Sequence, residues 1–262
     1  MRSVRARLTT TAALRWVPIW RRHLRVWAKL AGPAIIGNFG EPFLYLLALG
    51  YGLGGFVGSV QGMPYLVFLA SGIVCSSAMV TGSFEGMYSA YTRMAVQKTW
   101  DAMLATPLDV RDIIMAEAVW GGTKSLFSGA AILTVAALLG AVAGWRAVLA
   151  LPVAFLTGLC FTAMALVMTA FARNYDFFLY YYTLLVTPML LISGVFFPVA
   201  EMPPVIQQLA QFLPLHHAVA LVRPLMTGAP LDAVGWHLLA LAGYAGGALA
   251  LAVRLIRRRL TA

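Results

Sequence analysis

Long apolar runs, separated by short polar or glycine- and proline-rich breaks, dominate the chain. A membrane-crossing helix needs about 20 apolar residues. Six runs meet that length, at about 34–55, 64–84, 113–143, 147–171, 177–197 and 233–253. Glu41-Pro42 interrupts the first early, and the second is rich in Gly, Ser and Ala, which lets helices approach closely. The third is long enough to tilt or protrude. Between runs, 56–63 is uncharged, Gly144-Trp145-Arg146 forms a tight turn, 172–176 is a short polar turn, and 85–112 is the most polar internal segment.

Three shorter stretches carry amphipathic periodicity. Over 18–31, Trp20, Leu24, Trp27 and Ala31 recur at helical spacing, with Arg21, Arg22, Arg25 and Lys29 between them. Pro18 suits the first turn, and a basic helix with a Trp-bearing apolar face belongs in a membrane interface. Over 96–104, Trp100, Met103 and Leu104 share one face of a short helix that Pro107 ends, and Asp109 can cap the next span. An exposed Trp between two spans predicts a knob for a partner on the cytoplasmic side; the alternative is a helix packed on its own bundle.

After the fifth run the chain breaks at Phe196-Phe197-Pro198 without turning polar. Pro203-Pro204 then open a pattern with Val205, Ile206, Leu209 and Phe212 on one face and Gln207, Gln208 and Gln211 on the other. Pro214 stops it, and Leu215, Ala218, Leu221, Val222 and Leu225 begin a second, which Gly228 suits as a C-terminal cap. Two apolar helices too short to cross predict a re-entrant hairpin over 203–226, in preference to two helices lying on the surface.

Composition agrees: 61% of residues are hydrophobic and 11% charged, against about 25% charged in soluble domains. The expected fold is therefore an all-α integral membrane bundle. A net charge of +10 would suggest nucleic acid in a soluble protein, but here the charge is sided. With six spans, the basic residues of the N-terminal segment, of Arg93, Lys98 and Arg111, of Arg173 and of the tail (Arg254, Arg257, Arg258, Arg259) share one side. Only Arg146 and Arg223 fall opposite, and Lys124 lies within the third span. Both termini are then expected in the cytoplasm and the hairpin outside. No cleavable signal is read at the N-terminus, because Thr9–Leu14 is short and polar and Arg15 follows it. Cys75 and Cys160 sit inside apolar runs and form neither a disulfide framework nor a metal cluster.

Few residues carry candidate chemistry. Gly121-Gly122-Thr123-Lys124-Ser125 looks like a phosphate loop but lacks its spacing, because Thr123 separates Gly122 from Lys124. Glu117 and Lys124 lie two turns apart on one helix face, roughly 10 Å along the axis. Glu117 is expected in water at the cytoplasmic end; Lys124 either snorkels or faces a transport route, where Tyr181 and Tyr182 of an aromatic-rich fifth span could join it. Glu41 and Glu85 are expected to hold the interfacial helix through its Arg residues. Ser193 and His216 (or His217) raise the rival reading of an intramembrane hydrolase, although the G-x-S-G context is missing. No acidic residue at mid-span supports an ion-coupled carrier.

Taken together, the short 96–104 helix, the interfacial helix, six spans and the hairpin resemble the ABC-2 family of ATP-binding-cassette permeases. Within that family, Lys98-Thr99-Trp100-Asp101-Ala102-Met103-Leu104, Asn174-Tyr175-Asp176-Phe177-Phe178, Thr187-Pro188-Met189-Leu190, Ser193-Gly194 and Phe197-Pro198-Val199 are similar to the NodJ-type nodulation permeases. The resemblance covers nearly the whole chain as one transmembrane domain, and it implies a non-enzymatic subunit of a bacterial inner-membrane exporter. The implied cargo is an amphiphilic glycan such as a lipo-chitooligosaccharide; a polysaccharide, another lipid-linked glycan or a drug is the alternative. The implied partners are a second permease copy, membrane lipid and a separate ATPase that holds the ATP and Mg, with no cofactor on this chain. By the same resemblance 96–104, with Lys98, Trp100, Asp101, Met103 and Leu104, is the coupling helix. The hairpin, with Phe197, Pro198, Pro203, Gln207, Gln211, His216 and His217, is the outer gate.

Overall fold

The computed structural model describes residues 14–29, 32 and 44–261. In chain order the helices are α1 (Trp16–Ala28), α2 (Leu46–Val57), α3 (Tyr65–Val96), α4 (Thr99–Leu104), α5 (Val110–Leu138), α6 (Trp145–Phe171), α7 (Asp176–Ile192), α8 (Pro204–Gln211), α9 (Pro214–Thr227) and α10 (Val234–Thr261). Two two-residue strands, β1 (Ser59–Val60) and β2 (Met63–Pro64), pair antiparallel between α2 and α3. The early part of the expected first span, with Glu41, lies outside the described residues.

Among the described residues four helices are long and apolar enough to cross a membrane: α3, α5, α6 and the 234–260 stretch of α10. The α8–α9 pair, bent by 88°, makes a fifth if counted as one broken span, while α2 and α7 are shorter apolar helices. The chain is a multi-pass membrane protein. The expected fifth span, 177–197, stops earlier, at Ile192. Gly194 follows in the left-handed region at φ +84°, a conformation that ends a helix readily only at glycine.

The core is the mutual packing of α3, α5 and α6, with α9 and α10 laid against it. Small residues permit it: a Cβ on Gly82 would meet Gly158 O at 2.5 Å, and one on Gly86 would meet Thr162 O at 2.6 Å. Hydroxyls bond across the same seams, with Thr162 Oγ1 donating to Gly82 O (3.0 Å), Thr169 Oγ1 to Gly86 O (2.7 Å) and Ser125 Oγ to Ala78 O (2.9 Å). This is how helices associate where lipid is as apolar as the core. Cys75 and Cys160 are free and buried.

The polar 85–112 segment is mostly helical. α3 runs on to Val96 through two widened turns, Glu85–Ser89 and Thr92–Val96, in which hydrogen bonds reach five residues back. Lys98, left-handed at φ 52°, precedes α4, so the short helix spans Thr99–Leu104 rather than 96–104. Asp109 caps α5, accepting from Val110 N while its own N–H donates to Asp112. At the far end of the chain, Arg259 Nη1 donates to Thr169 O and Ala170 O at the end of α6, and Arg257 pairs with Asp109 at 2.6 Å. Gly228, at φ +77°, closes α9.

Candidate functional site

Four ionised side chains meet at one end of the α3–α5 seam, where the widened turns of α3 put them. Eight steps along a regular α-helix turn through about 800°, which leaves a side chain eight residues on roughly 80° off the face of the first. Widened turns take up additional residues, so Arg93 comes to lie beneath Glu85, its Nη2 donating to Glu85 Oε1 at 2.7 Å. Arg93 also reaches across to α5: Nε donates to Glu117 Oε1 at 2.9 Å, and Nη2 donates to Glu117 Oε2. Lys124, two turns beyond Glu117, donates to Glu85 Oε2 at 2.8 Å.

Two carboxylates and two cations thus form a linked, formally neutral chain, Lys124–Glu85–Arg93–Glu117. Glu117 is 0% and Glu85 2% exposed, so each would be strongly destabilising if left unpaired.

Two further elements are tied to this group. Trp100 of α4 is 0% exposed, and its Nε1 donates to Glu117 Oε1 at 3.1 Å. From α1, buried His23 places Nε2 3.4 Å from the same oxygen, without hydrogen-bond alignment. Trp20 Nε1 donates to Thr123 Oγ1 at 3.0 Å, and Trp27 stacks on Phe127 with centroids 4.9 Å apart. A cavity of about 400 Å³ between α1, α3 and α5 is bordered by Arg22, Glu85, Arg93 and Lys124.

Several expectations change here. Glu117 does not sit in water; it is the acceptor on which α1, α3 and α4 converge. Trp100 is not an exposed knob, because its ring is enclosed and its only polar atom is committed to Glu117. On α4 the outward side chains are those of Asp101 and Ala102, next to exposed Lys98, with Met103 and Leu104 half-buried. Glu85 holds Arg93 and Lys124 rather than the arginines of α1, and Arg21, Arg22 and Arg25 are exposed. Lys124, 30% exposed, is engaged with Glu85. Trp20 and Trp27, half-buried like Leu24, rest on α5 rather than reaching only into lipid. Tyr181 is enclosed, and Tyr182 packs edge-on against Phe84 at 5.6 Å. Gly121–Ser125 is continuous helix, with no loop to hold a phosphate.

At the opposite end of the bundle lies the hairpin. Val205, Leu209 and Phe212 are exposed, so the apolar face of α8 is turned away from the protein, and only Ala210 of that helix is buried. Gln207 donates to Ala200 O and Met202 O, which occupies its amide within the linker, whereas Gln211, Pro203 and Phe197 are exposed and Pro198 is buried. His217 Nδ1 lies 2.8 Å from Nδ1 of His237 on α10, so one ring must carry the proton that the other accepts. His237, absent from the sequence-based candidates, is thus the partner of His217. Ser193 and His216 border one cavity, but the buried Ser193 hydroxyl has no hydrogen-bond partner among the described residues, so a serine–histidine proton transfer is not set up.

A bundle of helices packed through small residues, with a short intervening helix hydrogen-bonded to a buried carboxylate, defines a multi-pass membrane domain. The ABC-2 type transporter family matches residues 15–227, and the chain belongs to that family. Members are transport subunits, and membership implies a partner ABC ATPase. The chain is 43% identical over 245 residues to Nodulation protein J of Rhizobium meliloti (strain 1021), covering 94% of each. Nodulation protein J of Rhizobium leguminosarum bv. viciae is 45% identical over 248 residues, 94% of this chain and 95% of the relative. The inner membrane transport permease YadH of Escherichia coli (strain K12) is 22% identical over 205 residues, 78% of each.

Proposed function

We propose that the chain is the permease subunit of a nodulation-related exporter, moving an amphiphilic glycan of the lipo-chitooligosaccharide kind across the bacterial inner membrane. A separate ATPase, which binds the ATP and Mg, drives it. The observation that carries the mechanism is the fastening of α4 through Trp100 to Glu117, and through Glu117 to α3 and α1. A displacement of α4 by a partner closing on nucleotide is passed to two spans at once, because Trp100, Glu117 and Arg93 are mutually hydrogen-bonded, and to the α1 helix through the buried contact of His23 with Glu117. Exposed Lys98, Asp101 and Ala102 are the docking contacts, and Trp100 is the anchor behind them.

In this reading six spans cross the membrane: the expected first span at about 34–55, α3, α5, α6, α7 and α10. Both termini and α4 face the cytoplasm, and the α8–α9 hairpin lies at the outer face as the gate of a permease dimer. A lateral opening between the two copies lets an acyl tail stay in lipid while the sugar passes between spans. This avoids unpaired hydroxyls in hydrocarbon, at several kcal/mol each. The names of the relatives at 43% and 45% identity support the nodulation assignment.

Reconstitution in liposomes with the cognate ATPase tests it. Wild-type chain should support ATP-dependent movement of an acylated chitooligosaccharide, and Trp100→Ala should insert normally but lower the ATP-coupled rate about tenfold. Movement of the lipo-oligosaccharide by the permease alone down a proton gradient would overturn the reading. Movement of the unacylated sugar only would leave the transporter class and remove the lateral route.

A further inference from the structure

Arg223, near the middle of α9, has no carboxylate within ion-pair distance among the described residues. Its Nε donates to Ser71 Oγ (3.0 Å), and Nη2 to Gly194 O (2.6 Å) and, more loosely, to Phe68 O (3.5 Å). The guanidinium also covers the Phe68 ring at 3.7 Å. All of these partners are neutral, and Nη1 has none among the described residues. A half-buried cation held in place by neutral groups keeps its full charge for something else.

That charge borders a cavity of about 310 Å³ between α9, the end of α7 and the β1–β2 turn. His216 and Ser193 share its wall. The Ser193 hydroxyl is 0% exposed and has no hydrogen-bond partner among the described residues, whereas buried polar groups are almost always satisfied. His216, half-buried, is directed at the Ser193 backbone carbonyl, so its second ring nitrogen donates into the cavity only when the imidazole is protonated. A fixed cation, a free hydroxyl and an imidazole around one small space form a donor set with no anionic acceptor of its own.

We propose that this cavity is an anion-binding site: it takes one phosphate, sulfate or carboxylate group on Arg223 Nη1, with the Ser193 hydroxyl as an additional donor and His216 on the adjoining wall. Resting on the export reading, the group is an acidic substituent of the cargo, met at the outer gate; the same chemistry would hold the phosphate of an anionic phospholipid. A cation–anion contact of this kind adds selectivity for a charged glycan over its neutral counterpart, through hydrogen bonds stronger than neutral ones.

Binding to the purified full-length chain in a neutral maltoside detergent separates this site from the export reading, because no ATPase or transport is involved. Glucose 6-phosphate should bind about tenfold more tightly than glucose, and Arg223→Gln should abolish the difference. Ser193→Asp, which supplies an internal carboxylate, should block glucose 6-phosphate while the protein stays monodisperse, so the prediction survives if Arg223→Gln fails to fold. Binding of dioctanoyl phosphatidylglycerol but not glucose 6-phosphate, with the same dependence on Arg223 and Ser193, supports the anion site and assigns it to a lipid headgroup. Equal binding of glucose and glucose 6-phosphate with no phosphatidylglycerol binding, or phosphate binding undiminished in both variants, overturns the proposal and leaves Arg223 a tie between α9, α3 and the end of α7.

Discussion

Arg93 holds two carboxylates that would otherwise face each other in a dry seam. Arg93→Gln leaves Glu85 to Lys124 alone, and Glu117 to Trp100 and His23, neither of which is a permanent cation. Removing one member of a buried charge network costs about 3–5 kcal/mol, so the variant should unfold at a clearly lower temperature in detergent. Arg93→Lys should fall between, keeping the charge but losing the fork that serves both acids. A melting temperature for Arg93→Gln equal to that of wild type would mean that the pairs carry no stability. None of this pairing was legible in the sequence. Glu85 and Arg93 are eight apart, a spacing that does not share an α-helical face, and only the widened turns bring them together. Glu117 and Lys124 were legible as a same-face pair, but their partners lie on α3, at sequence separations that no local pattern reports.

Helix termini were easier to read than helix faces. Asp109 as a cap and Gly228 as a stop follow from local chemistry, and the structure has both. Faces were not settled by the apolar pattern. On α8 the apolar side chains Val205, Leu209 and Phe212 point away from the protein, and on α4 the Trp assigned to a partner points into the bundle. In a membrane protein apolarity no longer separates core from surroundings, since lipid accepts Leu and Phe as readily as the interior does. The seams are marked instead by Gly82, Gly86, Thr162 and Ser125, small or hydroxylated residues that a hydrophobicity pattern undervalues. The extent of α3 was missed for a related reason: its last turns are polar, and polarity was read as loop.

For the whole molecule, family and class were legible from the spacing of apolar runs and a few short motifs, whereas the sidedness rests on where the basic residues fall. The two native thiols are buried, so aqueous thiol reagents should leave them untouched and report only on introduced cysteines. Asp101 and Glu201 are both exposed, one on α4 and one in the linker ahead of α8. In spheroplasts a membrane-impermeant maleimide should label Glu201→Cys directly, and Asp101→Cys only after permeabilisation. Labelling of both without permeabilisation would refute the proposed topology.

The first widened turn of α3 also bears on how this chain could have changed length. A turn with one residue too many is what a single-codon insertion leaves when the helix around it cannot rotate, and Glu85–Ser89 lies between Gly82, fixed against α6, and Arg93, fixed against α5. The lesion that would undo it is a deletion in the same stretch. Without Ser89, Arg93 becomes the seventh residue after Glu85, two regular turns along and back on the same face. Loss of Ala78 from the regular part of α3 would instead put every later side chain about 100° out of phase. The chain lacking Ser89 should therefore accumulate in the membrane and melt close to wild type, while the chain lacking Ala78 should not fold. Equal damage from both would show that the widened turn is not a slack residue but part of the seam itself.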